Sequence, residues 1–268
     1  MRKRLITACV PLVLTCVLAG SSRGESPYRL GRSKDGFLAG GSAAAGGVAV
    51  ALSGKPEPLA ACEIGELSRE SVNGFDRGAT YHYSEEWSNA SDVLVGLVAA
   101  APLALLLDAG ARDDWETCGL MYTETMALAL ILPAYGKGTV ERIRPFVYDS
   151  DAPMAAKTTS DARKSFFSRH ASAAFASATF LSTVYGDYHP GSRGTPYIWA
   201  GSLLAATAVG CARYESGQHF PTDIIAGAVA GCAVGYLIPR LHRIGGGAMS
   251  IIPACPGSQV GIALQMRL

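Results

Sequence analysis

Two imidazoles and three basic side chains stand out for the chemistry their types and spacing allow. His219 lies in the stretch Arg213-Tyr214-Glu215-Ser216-Gly217-Gln218-His219-Phe220-Pro221-Thr222-Asp223. Pro221 suits the first turn of a helix, where its missing N–H costs nothing. If that turn begins near His219, Asp223 lies one turn on and on the same face. A carboxylate that accepts from one imidazole nitrogen sets the tautomer and leaves the lone pair of the other nitrogen free. Arg213 adds a planar fork that matches phosphate oxygens. Read in isolation, the same residues are also a helix-capping Asp beside a surface His.

Two clusters upstream offer related chemistry. The first is Lys137 with Arg144, in Gly136-Lys137-Gly138-Thr139-Val140-Glu141-Arg142-Ile143-Arg144-Pro145. Alone, these cations would merely complement the negative end of a helix, and no Walker-type phosphate loop is present. The second is Phe167-Ser168-Arg169-His170, directly before the small-residue run Ala171-Ser172-Ala173-Ala174. Ser168 is a good N-cap, so the N–H groups that follow it are free to hold an anion. His170, at the mouth of that helix, can reach the leaving oxygen of a bound phosphate. The plainer reading is an ordinary cap with an exposed His. No cluster of His, Cys or carboxylates has metal-ligand spacing, and neither a metal nor a cofactor is expected.

The elements that must position these groups are helices. Half of the 268 residues are apolar and 17% are charged, a more apolar balance than is usual for soluble domains. The net charge of +1 argues against a protein that coats nucleic acid. Residues 1–20 read as a secretory signal: a basic start, an apolar stretch, then Ala19-Gly20-Ser21-Ser22. Residues 21–90 read as a leader, a first helix over 37–52, and short helices and loops. A catalytic core over 91–244 follows, with Ser91-Asp92 capping a helix over 93–107 and Asp113-Asp114 opening another over about 115–135. A long irregular connection covers 136–167, and further helices cover 168–185, 196–213 and 221–241. Gly227, Gly231 and Gly235 form a ladder that lets another backbone approach closely. The tail, 245–268, holds a candidate β-hairpin. The fold class is thus all-α, a bundle of about six main helices. Of the five Cys beyond the signal, Cys118, Cys211 and Cys232 fall in apolar helical runs and read as small core residues.

The three clusters together, Lys-x6-Arg-Pro, Ser-x-His before a helix, then Arg-x5-His-x3-Asp, resemble the tripartite signature of the type 2 phosphatidic acid phosphatases. That superfamily also holds bacterial class A acid phosphatases and vanadium haloperoxidases. The resemblance covers about 93–241 and implies a metal-free phosphatase acting on phosphate monoesters or pyrophosphates, of lipids or of small molecules, through a phosphohistidine. It casts His219 as nucleophile, Asp223 as its orienting partner and His170 as acid and then base. Lys137, Arg144, Ser168, Arg169 and Arg213 would hold the phosphate. Two positions depart from the usual pattern: Arg169 stands where Gly is usual, and Ala212 where Ser is usual before Arg213. Arg169 can still offer its backbone N–H, while its side chain adds a cation or narrows the pocket. The other activities in view are vanadate-dependent halide oxidation and phosphate binding without turnover.

The resemblance and the signal together imply an exported, cell-envelope protein with an extracytoplasmic active site, periplasmic or membrane-associated, and with no nucleic-acid partner. The region 168–185 is a weak membrane helix on transfer scales, and seven basic residues between Arg23 and Arg77 oppose the positive-inside tendency for an outward site. Both points favour a compact periplasmic bundle resting on a membrane.

Overall fold

One helix of Ala, Ser and Thr runs through the middle of the molecule and the others are arranged about it. The structure, a computed structural model, describes residues 26–31, 35–36, 40–41, 46–47 and 56–244, and the backbone of 249–254 and 261–266. Its α-helices are α1 (Ala61–Glu66), α2 (Glu85–Ala100), α3 (Ala109–Asp113), α4 (Trp115–Thr139), α5 (Met154–Lys157), α6 (Arg169–Tyr188), α7 (Thr195–Glu215) and α8 (Pro221–His242). The chain is mostly helical in the described part. The signal at 1–20 lies outside the described residues, and the expected helix over 37–52 lies largely outside them. The backbones of Met249–Ala254 and Gly261–Met266 pair antiparallel, Met249 opposite Met266.

The central helix is α6. It is buried along most of its length, from Ala171 to Val184, and packs against α8, α7, α4 and α2. Ser168 caps it as expected, its Oγ accepting from the N–H of Ala171 at 3.3 Å. Small side chains allow close approach, and α8 exploits this. A Cβ added to Gly227, Gly231 or Gly235 would lie 2.5, 2.3 and 2.4 Å from the carbonyl oxygens of Ser168, Ser172 and Ala176. The rungs advance together along both chains, so α6 and α8 run in the same direction with their N-termini at one end. The main chain of Ser168 confirms that end, its N–H donating to Asp223 O at 3.1 Å.

The other long helices close the bundle. Ser172 Oγ donates to Ala129 O at 2.7 Å, and Tyr122 joins Ala99 to Ser177, so α4 runs antiparallel to α6. Ser91 meets Arg213, which puts the start of α2 beside the end of α7. Three helix N-termini (α2, α6, α8) and two C-termini (α4, α7) therefore converge at one end.

Boundaries differ from expectation in one place that matters. The second helix starts at Glu85, capped by Ser84 through the N–H of Trp87, and not at Val93. Ser91 and Asp92 then sit inside it, and the helix continues as a tight 3₁₀ stretch over Ala101–Leu107. Glu85 and Glu86 in its first turn favour that start through the helix dipole.

Candidate active site

The converging helix ends gather the basic residues of the first and third clusters. Lys137, in the last turn of α4, donates to Lys164 O at 2.9 Å. Arg144, just outside the bundle, is 4% exposed. Its Nε donates to Asp161 O at 2.9 Å, its Nη2 pairs with Asp161 Oδ2 at 2.9 Å, and its Nη1 donates to Gln218 Oε1 at 2.6 Å. Arg213, at the end of α7, is 5% exposed; it donates to Ser91 Oγ at 3.0 Å and to Gln218 Oε1 at 3.4 Å. Its Nε is buried and meets no acceptor among the described residues. A buried guanidinium N–H without a partner is costly unless an anion completes it.

Gln218 thus spaces two guanidinium groups with one amide oxygen, a role that residue type alone does not announce. Burial lowers the pKa of the Arg144 guanidinium, and Asp161 opposes the effect. For Asp161 itself, burial would raise the carboxyl, but Arg144 and Lys137 outweigh it and hold it below the usual range. Positive charge is in surplus here.

His219 lies at the centre of that charge and is 1% exposed. Burial first, then Lys137, Arg144 and Arg213, push its imidazole well below the ordinary value, so it is neutral at neutral pH. Its Nδ1 lies 2.7 Å from the carbonyl oxygen of Ser165. A carbonyl only accepts, so Nδ1 carries the hydrogen and Nε2 carries the lone pair.

The direct Asp223–His219 bond expected from their spacing is not made. Helix α8 begins at Pro221, leaving His219 before its first turn, and the closest approach to Asp223 Oδ2 is 3.9 Å, beyond a hydrogen bond. Asp223 acts one step removed: its Oδ2 accepts from Ser165 Oγ at 2.5 Å and from Phe220 N at 3.0 Å. Ser165 therefore hydrogen-bonds both Asp223 and the imidazole, its hydroxyl to one and its carbonyl to the other.

His170 opens α6 at the same end, and burial, then Arg213, push its imidazole down to about 4 against the pull of Asp92. Its Nε2 lies 2.7 Å from Asp92 Oδ1. Asp92, expected as a helix cap, is instead the carboxylate partner of this second imidazole, with Arg213 at 3.8 Å. Ser168 is fully buried and committed to its capping bond, with its hydroxyl hydrogen still available to an acceptor. Arg169 is exposed on the first turn of α6, and its charge reaches Arg144.

All eight residues named from the sequence thus lie at the same end of the bundle. Sequence reasoning missed Ser165, Gln218, Asp92 and Asp161. Only Asp92 carried a readable signal, an acid at the head of an apolar run.

Among curated proteins and among solved structures, no match to the chain is found. Residues 119–244 match the family model described as PAP2 superfamily, a span that encloses all three clusters. That match agrees with the family that the three blocks resemble, and residues 119–244 are a PAP2-superfamily region.

Proposed function

We propose that the protein is a metal-independent phosphatase that hydrolyses phosphate monoesters or pyrophosphates through a phosphohistidine on His219. The observation that carries this reading is a buried imidazole whose Nδ1 is tied to the Ser165 carbonyl, which leaves the lone pair on Nε2, set among the charges of Lys137, Arg144 and Arg213.

In this reading the phosphate's non-bridging oxygens take the donors of Lys137, Arg144 and Arg213, the Ser168 hydroxyl, and the N–H groups opening α6, with Arg169 at the rim. Fixed cations aimed at developing charge are commonly worth about 3 kcal/mol each. The Nε2 lone pair of His219 forms the bond to phosphorus as the bond to the leaving oxygen breaks. His170, its Nε2 held by Asp92, gives a proton to that oxygen from its other nitrogen. Water then attacks phosphorus, His170 takes the water's proton, the P–N bond breaks, and inorganic phosphate leaves. Asp223 steadies the nucleophile through Ser165.

Membrane residence supports a lipid-linked substrate. Three helices, Glu85–Leu107, Trp115–Thr139 and Pro221–His242, are long and apolar enough to cross a membrane. Large apolar side chains face outward: Val93, Leu97 and Val229 are each 64% exposed and Leu204 70%. A soluble surface rarely presents so much, while a core of small and hydroxylated residues with Leu and Val outside is what lipid favours. We place these helices in a membrane of the cell envelope, the site at an extracytoplasmic face.

The test is initial-rate hydrolysis of p-nitrophenyl phosphate, phosphatidate and an isoprenyl pyrophosphate by the detergent-purified chain, with His219→Ala as control. The reading expects turnover of at least one substrate, insensitive to EDTA and absent from the variant. Equal rates for parent and variant, or loss with EDTA reversed by a divalent metal, would refute it.

A further inference from the structure

The nucleophile's immediate partners are themselves held by Asp76 and Arg142, two residues to which the three clusters assign no role. Asp76 is fully buried in the loop before the 3₁₀ turn Arg77–Tyr81, outside the span that matches the family. Its carboxylate accepts from Thr222 N at 3.0 Å, Thr222 Oγ1 at 2.7 Å and Asn73 Nδ2 at 2.8 Å. It thus caps the first turn of α8 from a point 146 residues earlier in the chain.

Arg142 joins this carboxylate to the site. Its Nη2 donates to Asp76 Oδ2 at 2.7 Å and its Nη1 to Asp223 Oδ1 at 2.6 Å, while the guanidinium lies 4.1 Å over the Phe220 ring. Its main-chain carbonyl accepts from Ser165 N at 3.0 Å. A closed circuit results, in which Arg142 grips Ser165 by its backbone and Asp223 by its side chain, and Ser165 joins Asp223 to His219. Burial would raise the Asp76 carboxyl, but the hydrogen bonds from Thr222, Arg142 and Asn73 outweigh it and hold it low. One planar fork between two fully buried carboxylates is a task that a point-charge lysine cannot perform.

We propose that Asp76 and Arg142 are positioning residues for catalysis, holding the His219 imidazole in its reactive tautomer and place through Asp223 and Ser165. The proposal rests on the phosphatase reading for its kinetic consequence and makes the loop around Asp76 part of the working site.

The full-length chain carrying Asp76→Asn, Arg142→Lys or Arg142→Ala tests it. The measurements are kcat and KM for p-nitrophenyl phosphate, the Kd of inorganic phosphate, the thermal midpoint, and the ¹⁵N shifts of His219 assigned against His219→Ala. The expected result is a fall in kcat of about 10- to 100-fold, the scale of a small misplacement of a reacting group. Phosphate affinity stays at the parent value, because no cation of the ring is touched, and the Nδ1–H tautomer loses population. Free guanidinium, unlike ammonium, restores rate to Arg142→Ala. Variants with parental kcat and tautomer overturn the proposal. So does a loss of rate that tracks lost phosphate affinity and thermal midpoint, with the tautomer unchanged. If Asp76→Asn does not fold, rescue of Arg142→Ala by guanidinium decides. A parent without phosphatase activity sinks the phosphatase reading instead, and the tautomer comparison then decides the positioning role alone.

Discussion

Adding a methyl group at each rung of the α8 glycine ladder separates what the bundle needs to fold from what the site needs to work. The Cβ of Ala at position 227, 231 or 235 would sit 2.5, 2.3 or 2.4 Å from a carbonyl oxygen of α6. That is about 1 Å inside an ordinary C···O contact of roughly 3.3 Å, and the obstacle is main chain, which cannot swing aside. Each substitution therefore forces α6 and α8 apart by a similar amount, at a cost of about 1–3 kcal/mol, the usual range for overpacking.

The functional cost is graded. Gly227 faces Ser168, two residues before His170, whereas Gly235 faces Ala176. Successive rungs lie about 6 Å apart along the helix, so separation at the first rung moves His170 away from His219 and separation at the third hinges open the far end. We expect Gly227→Ala to lose about 10²-fold in kcat, the scale of a 1 Å misplacement, and Gly235→Ala to keep most of its rate at temperatures where it is folded. Thermal unfolding in detergent gives the first quantity and initial rates on p-nitrophenyl phosphate the second. Equal losses of kcat at both positions in fully folded protein, or no destabilisation at either, would refute the packing argument.

Three further outcomes follow from the site. His170→Ala should slow turnover by about 10²–10⁴-fold, and Asp92→Asn should share part of that loss; a parental rate in either, measured with p-nitrophenyl phosphate, would remove the pair from the reaction. Because burial and the neighbouring cations depress the His219 imidazole, the acid limb of kcat/KM should lie below the usual imidazole value of about 6.5, once the substrate's own ionisation is allowed for. The same depression means the unfolded chain binds a proton that the folded chain does not, so this group's contribution to stability falls as pH drops below about 6.5 towards the folded value; an acid limb at or above 6.5 would contradict the assignment. Arg169→Gly should weaken inorganic phosphate binding only about severalfold, as an exposed charge is worth under about 1 kcal/mol, and isothermal titration would show whether the side chain instead obstructs the pocket and its removal tightens binding.

The clusters were legible because their chemistry resides in side chains at set spacings. Lys137, Arg144, Ser168, His170, Arg213 and His219 could be named without a structure, and so could the ladder of Gly227, Gly231 and Gly235. What was hidden lay in the main chain or in long-range contacts. The partner of His219 is a backbone carbonyl at Ser165, and no residue type marks a carbonyl for that duty. Four-residue spacing suggested an Asp223–His219 bond, but Pro221 opens the helix two residues after His219, so the imidazole precedes the first turn and stops 3.9 Å short of the carboxylate. Ser91 and Asp92 looked like a cap because Ser-Asp before an apolar run usually is one; the true cap, Ser84, precedes a polar first turn that hides the helix start. The hydropathy of α6 does not bear on the setting. A helix enclosed by four others meets no lipid, so its Ala, Ser and Thr say little about the setting, which the outward Leu and Val of α2, α7 and α8 carry instead.

The central claim is that His219 accepts phosphate within a ring of cations. Rapid acid-free quenching of the chain with ³²P-labelled substrate, followed by peptide mapping, tests it most directly. The account predicts an acid-labile, base-stable phosphoramidate on the peptide that carries His219, absent from His219→Ala and accumulating in a folded His170→Ala variant if dephosphorylation becomes the slow step. Steady hydrolysis with the label on another residue, or with His219→Ala turning over at the parental rate, would contradict it.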